Sequence, residues 1–483
     1  MTNVHIQRIL SNLNETNHKI AIVDGFKSVT YAELNDEIQR ICNAIQYSKS
    51  NRVGVFLSSS FDAYASIISC WLMGKSYVIL PPEYPSERIE LIVKLSNLSC
   101  VITTSALRRK IELDEGISII ELQNIEIPQY NIVYNLPDPL DEAYLLFTSG
   151  TTGHPKGVPI THKNLSSFVS AFGDIGYNLN SEDRFLQMFE LTFDLSIMSF
   201  LIPLTIGASF YLTDKTKIKP LAIYEILEIH RISFALLVPS VVRLLEPYIK
   251  DETITTLKYT QFCGEALTIS HVKSWQKICP NSEIDNVYGP TEATIYCANY
   301  RIPKNDQIDS VNGIVSIGKP MSSTALVIQG NELLIGGLQI TSGYINNNEL
   351  KSFVQVGSDR FYRSGDIGSF NNGLFYCLGR LDRQIKIQGF RVELSEIEHV
   401  FNMAFPNSES VVIFLKEPAE ILILCFLDQE NHIAIESISQ ILKMQLPGYM
   451  IPNKFVKFKK WPLNSNGKID RNVIKDEIFN SQS

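Results

Sequence analysis

Hydrophobic positions between residues 18 and 82 alternate between two patterns. The segments KIAIVDG and NRVGVFL carry short, nearly continuous apolar runs, which predict buried strands. The segments TYAELNDEIQRICNAIQ and FDAYASIISCWLMG carry apolar residues at helical spacing, which predicts helices. Thr30 and Glu33 predict a capping box at the start of the first helix, and Gly74 predicts the end of the second. Alternation of this kind predicts a mostly parallel sheet covered by helices, and so an α/β fold.

Two changes in this pattern indicate how the chain is divided. The segment 124–142 has three prolines and little periodicity, so we predict a connector there, before alternation resumes from 143 to about 320. The short runs ELLIGG, RFYRSGDIGSF and GLFYCLGR predict β elements, and the residues after GRLDRQIKIQGFR predict a smaller α/β unit. We therefore expect a large N-terminal domain over 1–380 and a small C-terminal domain over 381–483.

Composition and charge exclude several classes of protein. With 45% hydrophobic and 19% charged residues, the 483-residue chain has an ordinary globular composition. A net charge of −8 without a long basic run argues against nucleic acid as a partner. The N-terminus lacks a signal-peptide core and no window approaches about 18 uninterrupted apolar residues, so we expect a cytoplasmic protein with no membrane span. The eight cysteines form no C-x-x-C pair and the eight histidines no metal-binding spacing, which favours reduced thiols and no structural zinc.

The segment LLFTSGTTGHPKGVPITHKNL, residues 145–165, carries the strongest chemical signal. Its glycines and hydroxyl side chains allow backbone N–H groups to converge on an anion, and Lys156 adds a cation suited to phosphate. The segment is not a Walker loop, because Pro155 precedes the lysine and Gly157 follows it, which leaves no adjacent hydroxyl for magnesium. On its own, the loop predicts binding of nucleotide phosphates.

Four further segments follow the loop: NVYGPTEAT (286–294), YRSGDIG (362–368), GRLDRQIKIQGFRVELSEIE (379–398) and NSNGKIDR (464–471). Together with YLLFTSGTTGHPKGV, they resemble the motifs of the adenylate-forming superfamily. That superfamily includes amino-acid adenylation domains of nonribosomal peptide synthetases, acyl-CoA synthetases and luciferases. The resemblance extends over about residues 18–475. FDLS, FCGEAL, YGPTEAT and GRLDRQIK look most like stand-alone amino-acid:carrier-protein ligases, D-alanine:D-alanyl carrier protein ligases in particular.

The resemblance implies a fold and a two-step reaction. The large domain would have layered, mostly parallel sheets with helices and a small β-barrel-like part, and the small mobile domain would be α+β. A carboxylate would attack the α-phosphorus of ATP to give an acyl-adenylate and pyrophosphate, and a thiol would then take the acyl group. The implied cofactors are ATP, Mg²⁺ and the phosphopantetheine of a partner carrier protein. We expect that partner to act in trans, unless the chain is an excised domain.

The resemblance assigns three catalytic residues, two of which also have simpler local interpretations. Lys468 would bridge the attacking carboxylate and the α-phosphate and offset the developing charge, although a lysine in such a turn is usually solvated. Glu292 would bind Mg²⁺, which prefers hard oxygen ligands, and would otherwise be a capping or surface carboxylate. Thr291 would donate a hydrogen bond to the α-phosphate.

The resemblance also assigns the residues that bind ATP. Tyr288 would stack on adenine, with Gly264 and Glu265 along the same ring. Asp366 would accept hydrogen bonds from both ribose hydroxyls, although a lone Asp after Gly is more often a turn residue. Arg380 would contact ribose or phosphate. The predicted ATP-binding residues are Thr148, Ser149, Gly150, Thr151, Thr152, Gly153, Lys156, Gly264, Glu265, Asn286, Tyr288, Gly289, Asp366, Arg380 and Lys468.

Members of the superfamily alternate between two orientations of the small domain, one for each half-reaction. Asp382, in GRLDRQ, matches the hinge, where a few residues absorb the change in φ and ψ. Gly389, in IQGFRVE, would line the pantetheine tunnel during thiolation.

The substrate acid is predicted from LTFDLS and from pocket positions matched by resemblance. Asp194 matches the aspartate that pairs with a substrate α-ammonium, and such a pair would favour amino acids over plain carboxylic acids. From local sequence alone, Asp194 could instead be a helix N-cap or part of an Asx turn. The predicted pocket residues are Asp194, Leu195, Met198, Leu236, Gln261, Cys263, Val287, Ile295 and Tyr296.

This pocket predicts a small neutral amino acid. It has no second charge, and the bulky Met198 and Tyr296 should make it shallow. Alanine of either hand, serine, threonine and proline are candidates. Cys263 resembles the D-alanine ligases, whereas Gln261 and Tyr296 could hydrogen-bond a substrate hydroxyl. Two alternatives stay open: an acyl-CoA synthetase for a small acid, which would not need Asp194, and a catalytically inactive nucleotide-binding protein, although every catalytic position is filled.

Overall fold

The computed structural model describes residues 3–150, 155–249, 253–304, 307–345, 350–387, 389–416, 420–428, 432–463 and 469–480. Within them the α-helices are α1 (Val4–Glu15), α2 (Tyr31–Ile45), α3 (Phe61–Leu72), α4 (Ser86–Ser96), α5 (Ser105–Arg108), α6 (His162–Asp174), α7 (Asp194–Ile206), α8 (Lys219–Ile229), α9 (Ser240–Leu245), α10 (Ile269–Ile278), α11 (Leu394–Ala404), α12 (Ile435–Gln445) and α13 (Arg471–Asn480). Short 3₁₀ helices cover Leu122–Asn124, Thr291–Ala293, Leu350–Ser352 and Gly448–Met450.

The strands, in chain order, are β1 (Ile20–Asp24), β2 (Lys27–Thr30), β3 (Arg52–Val55), β4 (Ser76–Ile79), β5 (Cys100–Thr103), β6 (Ser118–Glu121), β7 (Glu142–Thr148), β8 (Lys156–Thr161), β9 (Arg184–Gln187), β10 (Ser209–Leu212), β11 (Phe234–Leu237), β12 (Tyr259–Phe262), β13 (Glu283–Tyr288), β14 (Ala298–Arg301), β15 (Ser310–Val311), β16 (Ile314–Val315), β17 (Lys319–Pro320), β18 (Thr324–Gln329), β19 (Glu332–Gly337), β20 (Phe353–Val356), β21 (Asp359–Asn371), β22 (Leu374–Arg380), β23 (Gln384–Ile387), β24 (Phe390–Glu393), β25 (Ser410–Leu415), β26 (Ile421–Leu427) and β27 (Lys454–Phe458).

Contacts divide the chain into two compact units. The first unit comprises Met1–Pro82, Val93–Phe147 and Gly157–Leu381. The second comprises Glu83–Ile92, Thr148–Lys156 and Asp382–Ser483. The last division along the chain falls between Leu381 and Asp382, whereas the sequence predicts a boundary at 380.

Two large sheets form the framework of the first unit. The nine-stranded sheet has the order β17-β14-β13-β12-β11-β9-β10-β1-β2, and its strands from β13 to β1 are parallel. The six-stranded sheet has the order β6-β5-β3-β4-β7-β8, with parallel pairing from β6 to β7. Strands β4, β10 and β11 are buried along their whole length, as expected where both faces of a sheet are covered. The mostly parallel α/β arrangement predicted from the sequence is therefore confirmed.

The helix signals in the N-terminal region are also confirmed. At the start of α2, the hydroxyl of Thr30 accepts a hydrogen bond from the N–H of Glu33 at 3.2 Å. The Glu33 carboxylate accepts one from the N–H of Thr30 at 2.7 Å, which completes the capping box. Helix α3 ends at Leu72, and Gly74 follows it with a left-handed φ of +62°. Residues 125–141, all described, contain no helix or strand, in agreement with the predicted connector.

An antiparallel sheet in the first unit holds β18 to β22, in the order β18-β19-β21-β20 with β22 paired to β21. The β elements predicted from ELLIGG, RFYRSGDIGSF and GLFYCLGR are strands β19, β21 and β22. In the β21–β22 pair, Asp366 lies opposite Arg380. The register therefore brings together two residues that the sequence assigns to ATP binding.

The second unit has a core of its own. The hairpin β23–β24 leads into α11, and the sheet β25-β26-β27 follows with α12 and α13. Ile397, Phe401 and Leu424 are fully buried in this core. Glu396, on α11, is also fully buried and pairs with Nη1 of Arg88 at 2.6 Å. The smaller α/β unit that the sequence predicts after GRLDRQIKIQGFR is thus confirmed, with α11, β25, β26 and α12 in that order.

Two observations bear on the exclusions drawn from composition. All eight cysteines lie among the described residues and are free thiols, and all except Cys377 are buried. None of the helices in the described part of the chain has the length and hydrophobicity that crossing a membrane requires.

Candidate active site

Tyr288, Asp366 and Arg380 form a hydrogen-bonded cluster in the first unit. The Tyr288 hydroxyl donates to Oδ2 of Asp366, and Nη1 of Arg380 lies 2.7 Å from Oδ1 of the same carboxylate. Burial, together with the charge of Asp366, raises the pKa of Tyr288 well above its ordinary value, so the hydroxyl stays protonated and can donate. Asp366 lies within β21 and is only 8% exposed, so it is not a turn residue. The structure therefore brings together the three side chains that the resemblance assigns to nucleoside and phosphate.

Two other predicted nucleotide-binding side chains have partners within the protein. Asn286 is buried on β13, and its Nδ2 donates to the carbonyl of Ser316 at 2.8 Å. The Glu265 carboxylate accepts hydrogen bonds from the N–H and the hydroxyl of Ser240, each at 2.9 Å. Glu265 thus stabilises the start of α9, and its contact with adenine stays a prediction.

Two glycines shape the backbone beside these residues. Gly264 follows β12 with a φ of +90°, a backbone conformation that residues with a Cβ rarely adopt. A Cβ at Gly289 would lie 2.4 Å from Cα of Tyr296, so no other residue fits without moving that segment. Both glycines are therefore required by the local backbone, whatever they contact in a bound nucleotide.

Glu292 is fully buried and is held by Tyr344. The Tyr344 hydroxyl donates to Oε1 of Glu292 at 2.7 Å, and the backbone carbonyl of Glu292 accepts from the N–H of Thr341 at 2.9 Å. Thr291 begins the 3₁₀ turn that carries Glu292. Complete burial excludes the surface carboxylate that the local sequence allowed.

The Glu292 side chain has the donor chemistry of a magnesium ligand. Its carboxylate offers the hard oxygen donors that Mg²⁺ prefers, and the Tyr344 hydroxyl fixes the orientation of that carboxylate. Among the described residues, no group of three or more His, Cys, Asp or Glu side chains is arranged to hold a metal ion. In nucleotide sites Mg²⁺ is commonly held by one or two carboxylates together with substrate phosphates and water, so a single carboxylate such as that of Glu292 would suffice.

The predicted amino-acid pocket is built on α7 and on three adjacent strands of the nine-stranded sheet. Asp194 is the first residue of α7, and Phe193 occupies the N-cap, so Asp194 is not the cap. The residue Asp194 is 8% exposed, and the charge of its carboxylate adds to burial in raising the pKa of the neighbouring Tyr144 hydroxyl. The remaining predicted pocket residues are all buried: Leu195, Met198, Leu236, Gln261, Cys263, Val287, Ile295 and Tyr296.

Gln261 and Tyr296 are bonded to each other. The Tyr296 hydroxyl donates to Oε1 of Gln261 at 2.9 Å, and Nε2 of Gln261 donates to the Tyr177 hydroxyl at 2.8 Å. Neither Gln261 nor Tyr296 has any exposed surface. Each of these two side chains thus has a partner within the protein, and hydrogen bonding to a substrate hydroxyl stays a prediction.

Ser149 and Gly150 belong to the second unit and bond to residues around the start of α11. Oγ of Ser149 donates to the carbonyl of Arg391 at 2.9 Å and accepts from the N–H of Glu393 at 3.1 Å. The N–H of Gly150 donates to Oε2 of Glu396 at 3.2 Å. The amide that the resemblance assigns to an ATP phosphate is thus bonded here to a carboxylate, another anion.

The structure places four other predicted residues of the second unit, and their roles stay predictions. Thr148 ends β7 and Lys156 begins β8. Oδ1 of Asp382 accepts from the N–H of Gln384 at 3.1 Å, and Gly389 is buried with a φ of +87°. The hinge and tunnel roles stay predictions. Four predicted residues lie outside the described part of the chain: Thr151, Thr152, Gly153 and Lys468.

Sequence reasoning did not find Tyr344 or Tyr177. The hydrogen bond between Tyr344 and Glu292 joins residues 52 positions apart in the sequence, and the one between Tyr177 and Gln261 joins residues 84 apart. Neither tyrosine lies in a recognised motif, and contacts at such separations follow from strand order. The motif around Glu292 does imply that a buried carboxylate needs a donor, but it does not say which residue supplies it.

The chain resembles known proteins over nearly its whole length. A family model described as AMP-binding enzyme matches residues 10–345. The chain is 32% identical to gramicidin S synthase 1 of Brevibacillus brevis over 482 residues, which cover 95% of this chain and 43% of that one. It is 29% identical to a D-alanine–D-alanyl carrier protein ligase of Bacillus licheniformis over 497 residues, which cover 95% of this chain and 96% of the ligase.

The fold likewise resembles that of a solved structure, the Vibrio cholerae adenylation domain AlmE in complex with glycyl-adenosine-5'-phosphate. The TM-score is 0.87 at 23% identity, and the match covers 99% of this chain and 98% of that one. The large N-terminal and small C-terminal parts predicted from the sequence agree with this fold. The chain spans less than half of the length of gramicidin S synthase 1, and 13% of that of a second synthase subunit.

Proposed function

The chain belongs to the AMP-binding enzyme family, and we propose that it activates a small neutral amino acid with ATP and passes it to a carrier protein. The first step would give an aminoacyl-adenylate and pyrophosphate. The second would give AMP and a thioester on the phosphopantetheine of the carrier. The likeness to a D-alanyl carrier protein ligase of almost equal length supports both the amino acid and the carrier.

Asp194 is the observation that carries the amino-acid part of the proposal. It is the single charged side chain among the nine predicted pocket residues, and only 8% of it is exposed. A carboxylate forms a charge-assisted hydrogen bond with an ammonium group, and the α-ammonium of an amino acid is such a group. A plain carboxylic acid would not supply it.

In the first step, an oxygen of the substrate carboxylate would bond to the α-phosphorus while the bond from that phosphorus to the leaving pyrophosphate breaks. Mg²⁺, when bound, supplies positive charge that stabilises the crowded phosphate oxygens. Glu292 would hold that ion in the orientation set by Tyr344. Lys468 would offset the charge that develops between the carboxylate and the α-phosphate, and this role rests on the motif NSNGKID.

Asp366 would position the nucleoside. Its two oxygens accept from Tyr288 and from Arg380 on opposite sides, which fixes the plane of the carboxylate. The remaining lone pairs of these oxygens would accept hydrogen bonds from the ribose hydroxyls in a set direction. Correct placement of the α-phosphorus relative to the carboxylate contributes to such reactions as much as charge does.

In the second step, a thiolate sulfur would attack the carbonyl carbon of the adenylate, and AMP would leave with the bridging oxygen. A carrier protein would deliver that thiol on phosphopantetheine. Coenzyme A carries the same phosphopantetheine thiol, so the chemistry of the step does not distinguish it from a carrier protein. An assay with each acceptor in turn distinguishes them.

Pyrophosphate exchange tests the proposal. The full chain is incubated with ATP, Mg²⁺, labelled pyrophosphate and one acid at a time, with acetate and propanoate as controls that match glycine and alanine without the amino group. We expect at least about 100-fold faster exchange with the preferred amino acid than with its matched acid, because only the amino acid has an α-ammonium group that can pair with Asp194. Equal exchange with propanoate and alanine would point instead to an acyl-CoA synthetase, and no exchange with any acid to an inactive nucleotide-binding protein.

A further inference from the structure

Thr294 and Ile295 lie in the left-handed region of backbone conformation, shortly after the predicted metal ligand Glu292. The φ angle is +56° at Thr294 and +74° at Ile295. A β-branched residue rarely adopts a positive φ, because its side chain then crowds the neighbouring carbonyl oxygen. Two such residues in succession make a strained turn, and strain of this kind persists only where surrounding contacts impose it. Contacts from elsewhere in the protein must therefore hold this turn.

The side-chain amide of Gln339 supplies such contacts. Its Nε2 donates to the carbonyl of Tyr296 at 2.9 Å, and to the carbonyls of Ala293 and Thr294 at 3.3 Å each. Carbonyl oxygens only accept hydrogen bonds, so the amide nitrogen, and not the amide oxygen, must face them. Gln339 has no exposed surface, so solvent does not compete for these bonds. One amide thus holds carbonyl groups before, within and after the strained pair.

The backbone of Gln339 is fixed as well. The Thr294 hydroxyl donates to the backbone carbonyl of Gln339 at 2.5 Å, which joins the same two residues a second time. Nδ2 of Asn164, in the first turn of α6, donates to the carbonyls of Leu338 at 2.7 Å and Ile340 at 3.2 Å. The residues on both sides of Gln339 are therefore bonded to a helix of the first unit, which gives the amide a firm base.

Segment 338–344, which carries Gln339, also contacts Glu292 directly. The N–H of Thr341 donates to the backbone carbonyl of Glu292 at 2.9 Å, and the Tyr344 hydroxyl donates to its Oε1 at 2.7 Å. Gln339, Thr341 and Tyr344 thus bond in chain order to the turn after Glu292, to its backbone and to its carboxylate. The position of the carboxylate depends on the same segment that holds the strained turn.

We propose that Gln339 is a positioning residue: its amide keeps Thr294 and Ile295 in the left-handed conformation and so fixes the direction in which Glu292 presents its carboxylate to a metal ion. This inference rests on the proposed function and deepens it, because it adds a residue that the resemblance did not assign. Gln339 acts through the backbone and touches neither metal nor substrate. Without its amide the turn relaxes, and Glu292, two residues before Thr294, shifts with it.

Gln339→Met tests this role, because methionine has a similar length and no N–H donor. In the protein without ATP or metal, residues 291–297 should lose protection against hydrogen exchange, measured by mass spectrometry. With a nonhydrolysable ATP analogue, the Kd for Mn²⁺, measured by electron paramagnetic resonance of the free ion, should rise by about tenfold. Mn²⁺ is a suitable probe because it takes the same carboxylate and water ligands as Mg²⁺.

The matched control is Gln39→Met, in the same unit. Nε2 of Gln39 donates to the Tyr134 hydroxyl at 2.5 Å, and its Oε1 accepts from the N–H of Ile132 at 2.7 Å. This glutamine also joins distant parts of the chain, but none of its partners belongs to the predicted site. Gln39→Met should therefore keep the wild-type Kd for Mn²⁺ and the wild-type protection of residues 291–297.

Thr294→Val is a milder second variant, which removes the hydroxyl bonded to Gln339 and keeps the branched side chain. It should raise the Kd for Mn²⁺ in the same direction by a smaller factor, and an unchanged Kd would overturn the proposal if Gln339→Met does not fold. If Gln339→Met folds, a lower free energy of unfolding with the wild-type Kd would overturn it, since Gln339 would then only stabilise the fold.

Failure of the proposed function gives a different result. Wild-type protein that catalyses no pyrophosphate exchange with any acid refutes the proposed function, whatever the Kd for Mn²⁺ in the variants. Wild-type protein that catalyses exchange, together with variants that keep the wild-type Kd, refutes the role of Gln339 alone. Absence of nucleotide-dependent Mn²⁺ binding by the wild type would also overturn that role.

Discussion

The hydroxyl of Tyr344 lies 2.7 Å from Oε1 of Glu292, a carboxylate with no exposed surface. The hydrogen bond holds one oxygen of the predicted magnesium ligand in a fixed direction. Removal of a residue that hydrogen-bonds to a metal ligand commonly lowers the metal affinity by about 10- to 100-fold. Tyr344→Phe should therefore raise the Mg²⁺ concentration for half-maximal pyrophosphate exchange by about tenfold, whereas Glu292→Gln should reduce exchange by at least about 100-fold at any Mg²⁺ concentration.

The control for this prediction is Tyr300→Phe. Its hydroxyl also donates to a carboxylate, that of Asp309, but neither residue belongs to the predicted site. Titration of pyrophosphate exchange with Mg²⁺ at saturating amino acid should show a shift for Tyr344→Phe only. An unchanged Mg²⁺ titration in Tyr344→Phe would contradict the assignment of Glu292 as the metal ligand held by Tyr344.

His5 and His162 form a buried pair that predicts a loss of stability in acid. Nε2 of His5 lies 3.0 Å from Nδ1 of His162, and neither ring is exposed. Burial lowers the pKa of His162 to about 3, and burial together with the charge of His162 lowers the pKa of His5 well below its ordinary value. In the unfolded chain both rings return to about 6.5, so the unfolded state binds more protons between these limits.

The folded state is therefore destabilised as the pH falls through about 6.5, and the loss continues towards pH 3. We expect a contribution on the order of 1 kcal/mol per pH unit from His162, measured as the unfolding free energy in urea between pH 7 and pH 5. His162→Gln should reduce this slope, and His18→Gln, at an exposed position, should not. Equal slopes in the wild type and in His162→Gln would refute the prediction.

The ion pair between Arg88 and Glu396 should stabilise the second unit. The two side chains are 8% and 0% exposed, and Arg88→Met would leave the Glu396 carboxylate buried without its cation. Such a change costs about 3–5 kcal/mol. Hydrogen exchange followed by mass spectrometry should show lower protection of residues 394–404 in Arg88→Met. The control is Lys215→Met, which breaks an exposed ion pair with Glu190 and should lower the free energy of unfolding by less than about 1 kcal/mol. Unchanged protection of α11 would contradict this account.

Lys468 is predicted to act in the first half-reaction only. Lys468→Ala should reduce adenylate formation by about 100- to 1000-fold, the effect of losing one well-placed group that stabilises charge. Thioester formation from a supplied aminoacyl-adenylate should remain. Lys460→Ala, at an exposed lysine of the same unit, serves as the control. Normal pyrophosphate exchange in Lys468→Ala would exclude the proposed role.

Local features of the fold could be predicted from the sequence because neighbouring residues determine them. The capping box at Thr30 and Glu33 involves residues three positions apart, and the buried strands follow from short apolar runs. The cluster around Asp366 was predictable only in part. Its members were identified by resemblance, but their mutual hydrogen bonds depend on the β21–β22 register, which brings Arg380 opposite Asp366.

The pocket shows where sequence reasoning stops. A glutamine and a tyrosine at pocket positions indicate polarity, and polarity alone suggests bonding to a substrate hydroxyl. The protein partners that the structure shows are distant in sequence: Gln261 donates to Tyr177 across 84 positions, and Tyr296 donates to Gln261 across 35. The hydrogen-bond partner of each polar side chain depends on strand order and burial, which a sequence motif does not specify.

The central claim is that a carboxylate oxygen of an amino acid bonds to the α-phosphorus of ATP. The most direct test uses alanine and glycine labelled with ¹⁸O in the carboxylate, with ATP, Mg²⁺ and the full chain, and hydroxylamine as a nucleophile that takes up the acyl group. Mass spectrometry of the products should find one ¹⁸O atom in each AMP, with unlabelled pyrophosphate. Formation of ADP with ¹⁸O in inorganic phosphate, or of AMP without label, would contradict the account.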